Sequence, residues 1–181
     1  MVHTNPAFYA TDVAFYAIPA TGSWGITAAN VSQLRVYRAF GVERIMLANQ
    51  LLDPSGLAWL ADELDANPEF EFSCFVDSVR GAQLMAEALA HHGASRQVDV
   101  LVELGSDGAR PGARTIAEAR EIADLVLESP MLRLVGSAAT RARWGTTSAS
   151  SRCPLWTDTW GGCATSWRNW PRRATSRAWT R

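Results

Sequence analysis

From Gly22 to Gly136 the chain repeats one unit: a short aliphatic or β-branched run, a turn rich in Asp, Asn, Ser or Gly, then a helix-length stretch with one apolar face. That alternation is the strongest constraint on its fold. Strands separated by helices of this length are joined by crossovers, so they run parallel in one sheet. Four complete crossovers and five strands are legible, which predicts an α/β architecture. At 181 residues the chain is too short for a complete eight-unit (β/α) barrel, which takes about 250. A partial TIM-type barrel of about five parallel strands is the expectation, with irregular N- and C-terminal segments.

The units follow one another regularly. The run GSWGITAAN reads as a short strand, and Asn30 or Ser32 can cap a helix that places Leu34, Tyr37 and Phe40 on one face before Gly41 ends it. Next comes RIMLANQ, Arg44 to Gln50, as a strand. Asp53 and Pro54 occupy the cap and first-turn positions of a helix with Leu57, Leu60, Ala61 and Leu64 at i, i+3, i+4 and i+7. Phe70, Phe72, Cys74 and Val76 alternate through a third strand, which runs into Asp77 and Ser78. The helix after it buries Ala82, Met85, Ala86 and Leu89 and ends in His91, His92 and Gly93.

The stretch QVDVLVELGSDGARPG, Gln97 to Gly112, is the most distinctive. Val98, Val100 and Val102 alternate with Asp99, Leu101 and Glu103, and a glycine-rich loop then carries Arg110 away from the strand's C-terminal end. In barrels of parallel strands that end is where chemistry is done. Gly105, Gly108 and Gly112 do not have the spacing of a dinucleotide fingerprint, so loop geometry explains them. Thr115 and Glu118 form a capping box ahead of Ala119, Ile122, Ala123 and Val126, and Leu132 to Gly136 is a fifth strand.

Outside this body the text changes. Residues 1 to 21 are aromatic and apolar without a sustained period. Residues 137 to 181 hold six of the eight tryptophans, but Leu155 alone among Val, Ile, Leu, Met, Phe and Tyr. Charge divides at the same place. Residues 1 to 136 carry 9 of the 17 basic and 17 of the 18 acidic residues, a net −8; the remaining 8 and 1 give the tail +7. Its composition points to disorder. All 17 basic residues are arginine.

Three cysteines, Cys74, Cys153 and Cys163, form no CxxC pair, which argues against a disulfide framework or a structural zinc site. Cys74 reads as a buried strand residue. His91 and His92 are adjacent and therefore diverge on a helix; no metal site is expected. Apolar runs are broken well before about 18 residues, and no basic segment precedes an apolar one at the start. Neither a membrane span nor a signal peptide is expected, which makes the cytoplasm the default location.

In order and spacing, GSWGITAANVSQ, RIMLANQ, CFVDS, VDVLVELG and GARPGART resemble the N-terminal barrel of fold-type III pyridoxal-phosphate enzymes. That is the alanine racemase N-terminal domain type. Within the group they are most similar to the amino acid deaminase, D-threonine aldolase and D-serine dehydratase-like family. The resemblance covers roughly Gly22 to Gly136. It implies a lyase that abstracts the Cα proton of a small D- or hydroxy-amino acid and then eliminates or cleaves, with the pyridine ring as electron sink.

The resemblance also implies a lysine at the end of the first strand, upstream of Gly22, that forms a Schiff base with the cofactor. This chain contains no lysine. Arginine, a delocalised cation with a pKa above about 12, cannot supply the free amine that an imine needs. No catalytic residue is therefore assigned, covalent cofactor attachment is not expected, and the chain is predicted to be inactive by the family's route. What the resemblance retains is part of a cofactor wall. Arg110 matches an arginine near the ring's phenolic oxygen, and Asn49, Gln50 and Asp77 end strands at the same rim. The family's C-terminal zinc ligands would lie in a domain this sequence does not show.

The family text GYEGSLG, written as ggc tac gag ggc tcg ctg ggg and read one base later, yields ATRARWG, the sequence from Ala139 to Gly145. A change of reading frame near Ser137 is the expectation that follows, and the chain reads as a fragment. A sheet short of eight strands keeps two open edges, so self-association through them is expected. Two alternatives stand beside the enzyme-fragment reading: a noncatalytic interaction fragment, and nucleic-acid binding by the Arg/Trp tail. The second is disfavoured because no periodic basic face accompanies the tail.

Overall fold

The computed structural model describes residues 2–3, 25–105 and 111–139. In chain order the elements are β1 (Val2–His3), β2 (Ile26–Ala28), α1 (Val31–Ala39), β3 (Arg44–Gln50), α2 (Pro54–Ala66), β4 (Glu71–Val76), α3 (Val79–His92), β5 (Val98–Leu104), α4 (Ile116–Glu128) and β6 (Leu132–Ala139). The strands form one six-stranded sheet in sequence order, and every neighbouring pair is parallel. The five strands read from the sequence are all present. The additional strand is β1, two residues that pair Val2 with Ile26 and His3 with Thr27 inside the stretch expected to be irregular. Strand β6 runs past Gly136 to Ala139, so the first three residues of the segment expected to be disordered, Ser137 to Ala139, are strand; residues 140–181 lie outside the described residues.

Local chemistry accounts for where the helices start. The side chains of Asn30, Asp53 and Ser78 accept from the backbone N–H of Gln33, Gly56 and Gly81, satisfying amides that have no partner within the helix. At α4 the capping box is complete: Glu118 N donates to Thr115 Oγ1, and Glu118 Oε2 accepts from Thr115 N. Asp53 also accepts from the Ser55 hydroxyl at 2.7 Å. That contact, followed by the Gly56 amide, holds its carboxyl below the usual carboxylate range. One face differs from expectation. Leu34 and Tyr37 are buried, but α1 stops at Ala39, so Phe40 falls at the cap and half of it is exposed.

The two faces of the sheet are unlike. Ile45 and Leu47, Phe72, Cys74 and Val76, and Val98, Val100 and Val102 point to the helices and join the buried residues of all four in one cluster. The opposite, inner face carries a second, smaller cluster of Met46, Phe75 and Leu101. Strands β4 and β5 are thus buried on both sides, as the central strands of a parallel sheet must be. Burial pushes the Cys74 thiol up to about 12, which leaves a packed apolar residue and not a nucleophile.

Arginines tie the strands' N-terminal ends together. Arg38 donates to Glu63 Oε1 through Nε and Nη2 at 2.9 and 2.7 Å and to the Val42 carbonyl at 2.7 Å, while its guanidinium lies 4.3 Å from the centre of the Phe70 ring. Arg96 takes the carbonyls left open at the end of α2. It donates to Leu64 O at 2.7 Å, Asn67 O at 3.1 Å and Phe70 O at 3.3 Å, and its backbone N–H bonds Asp65. A planar fork with several fixed donors suits three diverging carbonyls better than an ammonium does. Replacing Arg96 with Lys should keep the charge yet lower unfolding stability by about 1–2 kcal/mol, measured by denaturant titration. An unchanged midpoint would show that the fork contributes nothing.

Candidate functional site

Each strand delivers its C-terminal end to the same rim, and the helix N-termini follow there. Gln50 ends β3, Glu103 lies near the end of β5, and Asp77 follows β4. What brings the first two together is an irregularity. Leu47 pairs with Cys74, yet Gln50 pairs with Phe75, so Ala48 and Asn49 form a bulge. The bulge places Gln50 opposite an inward-facing residue. From there Gln50 Nε2 donates to Glu103 Oε2 at 2.8 Å across the intervening strand. Glu103 is 3% exposed, and a carboxylate that deep is tolerated because donors reach it.

The other expected rim residues do not join this pair. Asn49, at the crown of the bulge, is exposed and its Oδ1 accepts from the Gln50 backbone N–H at 2.9 Å, a local turn contact. Asp77 is half-buried at the head of α3, where its Oδ1 accepts from the Ser78 hydroxyl at 3.0 Å. Arg110 lies outside the described residues. Glu103 was in view as one of an alternating set, but alternation does not reveal a partner 53 positions away. Its only signal was a carboxylate on the inward-facing register of a strand, close to the C-terminal end.

The loop carrying Arg110 is pinned at its base. Ala113 N donates to Glu103 O at 2.8 Å, Gly105 N donates to Ala113 O at 3.0 Å, and Leu104 and Ala113 form a parallel bridge. The close approach falls on Gly112, whose φ is +119°; a Cβ there would lie 2.5 Å from Gly105 N and 2.7 Å from Glu103 O. No other residue fits. In β6, Gly136 with φ +155° absorbs a second register shift, opposite Val100 and Leu101.

Toward the opposite end of the sheet, Arg133 and Asp99 form a two-point ion pair, Nε to Oδ1 at 2.6 Å and Nη2 to Oδ2 at 2.8 Å. The Asp99 contact raises the Arg133 pKa. It ties β5 to β6 in register and stands away from the rim. Among the described residues no group of three or more His, Cys, Asp or Glu is placed to hold a metal ion, and no helix is long and apolar enough to cross a membrane.

No protein family profile matches the chain, and no curated protein does. Solved structures do. The D-threonine aldolase from Filomicrobium marinum superposes with a TM-score of 0.60 at 26% identity, over 69% of this chain and 32% of that one. D-threo-3-hydroxyaspartate dehydratase from Delftia sp. HT23 gives 0.55 at 25% identity, over 71% and 33%. Alanine racemase from Clostridium difficile 630 gives 0.57 at 16% identity, over 72% and 32%, a likeness of fold. The chain therefore spans about a third of the structures it matches. Its open parallel sheet with alternating helices resembles part of the fold of these three fold-type III pyridoxal-phosphate enzymes and is consistent with a partial barrel.

Removing the donor to Glu103 should be felt throughout the fold. Gln50→Leu, similar in size, is expected to lower stability by about 1–2 kcal/mol at neutral pH. An unchanged urea midpoint would mean that the contact between the Gln50 amide and Glu103 contributes nothing to stability.

Proposed function

We propose that this chain corresponds to part of a pyridoxal-phosphate-dependent deaminase or aldolase acting on a D- or hydroxy-amino acid, and that it does not itself perform the family's covalent chemistry. The likeness to D-threonine aldolase and D-threo-3-hydroxyaspartate dehydratase supports the first half. The absence of any lysine carries the second. When bound, the cofactor supplies an electron sink for a carbanion at Cα. The rim offers it an amide at Gln50, and Arg110, Asn49 and Asp77 stand as further candidates. None of these is a primary amine, so the donor set does not fit covalent anchoring and no reaction step is assigned.

Mixing the protein with pyridoxal phosphate and reducing with borohydride is expected to leave every internal peptide unmodified by mass spectrometry, the α-amino group of Met1 being the only amine. A pyridoxyl adduct on an internal residue would overturn this reading.

The tail supports the fragment reading through the genetic code. Tryptophan has one codon, tgg, and the triplet beginning one base earlier ends in tg; it therefore encodes Leu, Met or Val whatever its first base. Six tryptophans thus become six apolar residues in that frame, each Leu, Met or Val, in the segment where this chain has Leu155 alone. Four of them, Trp156, Trp160, Trp167 and Trp170, are spaced by 4, 7 and 3 positions, the recurrence of one helix face. A crossover helix is what a barrel places after a strand such as β6. The DNA encoding residues 137 to 181 should therefore be open in the frame one base earlier and read there as an amphipathic helix. A stop codon in that frame within the segment would sink the proposal.

A further inference from the structure

The helical layer carries a groove on its outer side, away from the rim. Between α2 and α3 it holds about 410 Å³, lined by Leu52, Ala58, Leu84 and Ala88, with Glu87 and His91 on the α3 side. Leu52 and Leu84 are 43% and 37% exposed, large aliphatic side chains left to water. Glu87 is open as well: its side chain is 66% exposed, and Arg80 Nη1 stands 3.9 Å from its Oε1. An apolar trough with a carboxylate beside it fits a group that is a flat hydrocarbon in its body and an N–H donor at its tip. An indole has that form.

Charge says which indole. Helices α2, α3 and α4 together carry eight acidic residues and two arginines, a net −6. Beyond Ala139 the chain continues for 42 residues with eight arginines, one aspartate and six tryptophans, a net +7. By composition such a segment is too poor in aliphatic residues to build a core of its own, and six indoles left in water would make a large exposed apolar surface. The run WRNWPRR, Trp167 to Arg173, sets two indoles among three arginines. Reach is not limiting. The 28 residues from Ala139 to Trp167 can span about 90 Å, against a diameter of about 35 Å for a body of this size.

We propose that residues 140–181 fold back onto the outer helical face of their own chain. An indole of the Trp167 and Trp170 pair sits between Leu52 and Leu84 with its N–H toward Glu87, and the neighbouring arginines lie over the acidic helices. The occupant of the groove is thus a segment of the same polypeptide, kept near it at the high effective concentration that a tether provides. The contact joins opposite charges at an exposed surface, so it weakens with salt. It depends on the residues as translated and not on the reading frame from which they came.

Cysteine pairing in the full chain reads the docked state. With Cys153→Ser in place, Cys163 lies four positions before Trp167, and Cys74 is buried. A second thiol is added at the groove by His91→Cys, an exposed position, or for reference on α1 by Val36→Cys, where the helix has two arginines and no acid. In a glutathione redox buffer at low salt, the intrachain disulfide should form about tenfold more at His91→Cys than at Val36→Cys, quantified by peptide mass spectrometry. Adding Leu84→Ser and Glu87→Arg should bring it to the reference level, and so should about 0.5 M salt, which shortens the screening length to about 4 Å. Circular dichroism establishes that each variant is folded. The unaltered chain supplies a second readout that needs no variant: acrylamide should quench its tryptophan emission more strongly in high salt than in low. Equal pairing at both sites, pairing only between two chains, or quenching indifferent to salt overturns the proposal. None of these results bears on the enzyme-fragment reading, which stands or falls on the internal-peptide adducts and the reading frame.

Discussion

One row of side chains carries this structure. Ile45 and Leu47, Phe72, Cys74 and Val76, and Val98, Val100 and Val102 present a continuous apolar surface on which four helices lie. Because residues alternate between faces along a strand, a slip of one position would turn every member of that row away from the helices. The parallel register is therefore fixed by burial. The caps, the arginine ties and the geometry of the rim all presuppose it. The Asp99–Arg133 pair reinforces it from the other face, since the two residues are register partners at the β5–β6 seam.

This explains why so much of the fold was legible. Signals that depend on neighbours in sequence read correctly: the alternating valines of β5, the i, i+3, i+4, i+7 faces of α2 and α4, the caps at Asp53 and Thr115 and, of the two residues offered for α1, Asn30. Phe40 misled because periodicity continues across a helix end that the backbone does not respect. The short strand β1 was invisible because two residues cannot show an alternation, and its pairing with β2 depends on a partner more than twenty positions on.

The rim was only half legible for a related reason. Ending a strand with Asn49 and Gln50 marks a place, but which of the two faces inward depends on the bulge at Ala48 and Asn49. Two extra residues there set Gln50 against Phe75 and bring its amide to Glu103. Nothing in the run LANQ announces a bulge. Thr27 shows the converse case: its hydroxyl looks ordinary in the run GITAAN, and its lack of a partner emerges only once a methionine lies beside it.

The arginine ties at the base of the sheet have one further consequence. A guanidinium keeps its proton far into alkali and is not acylated under the conditions that modify ammonium groups. Arg38 and Arg96 therefore hold the carbonyls of Val42, Leu64, Asn67 and Phe70 with a grip indifferent to alkaline conditions and to amine-directed modification. A chain without ε-amino groups offers lysine-directed acylation no side chain to attack, so these ties persist under conditions that would neutralise an ammonium.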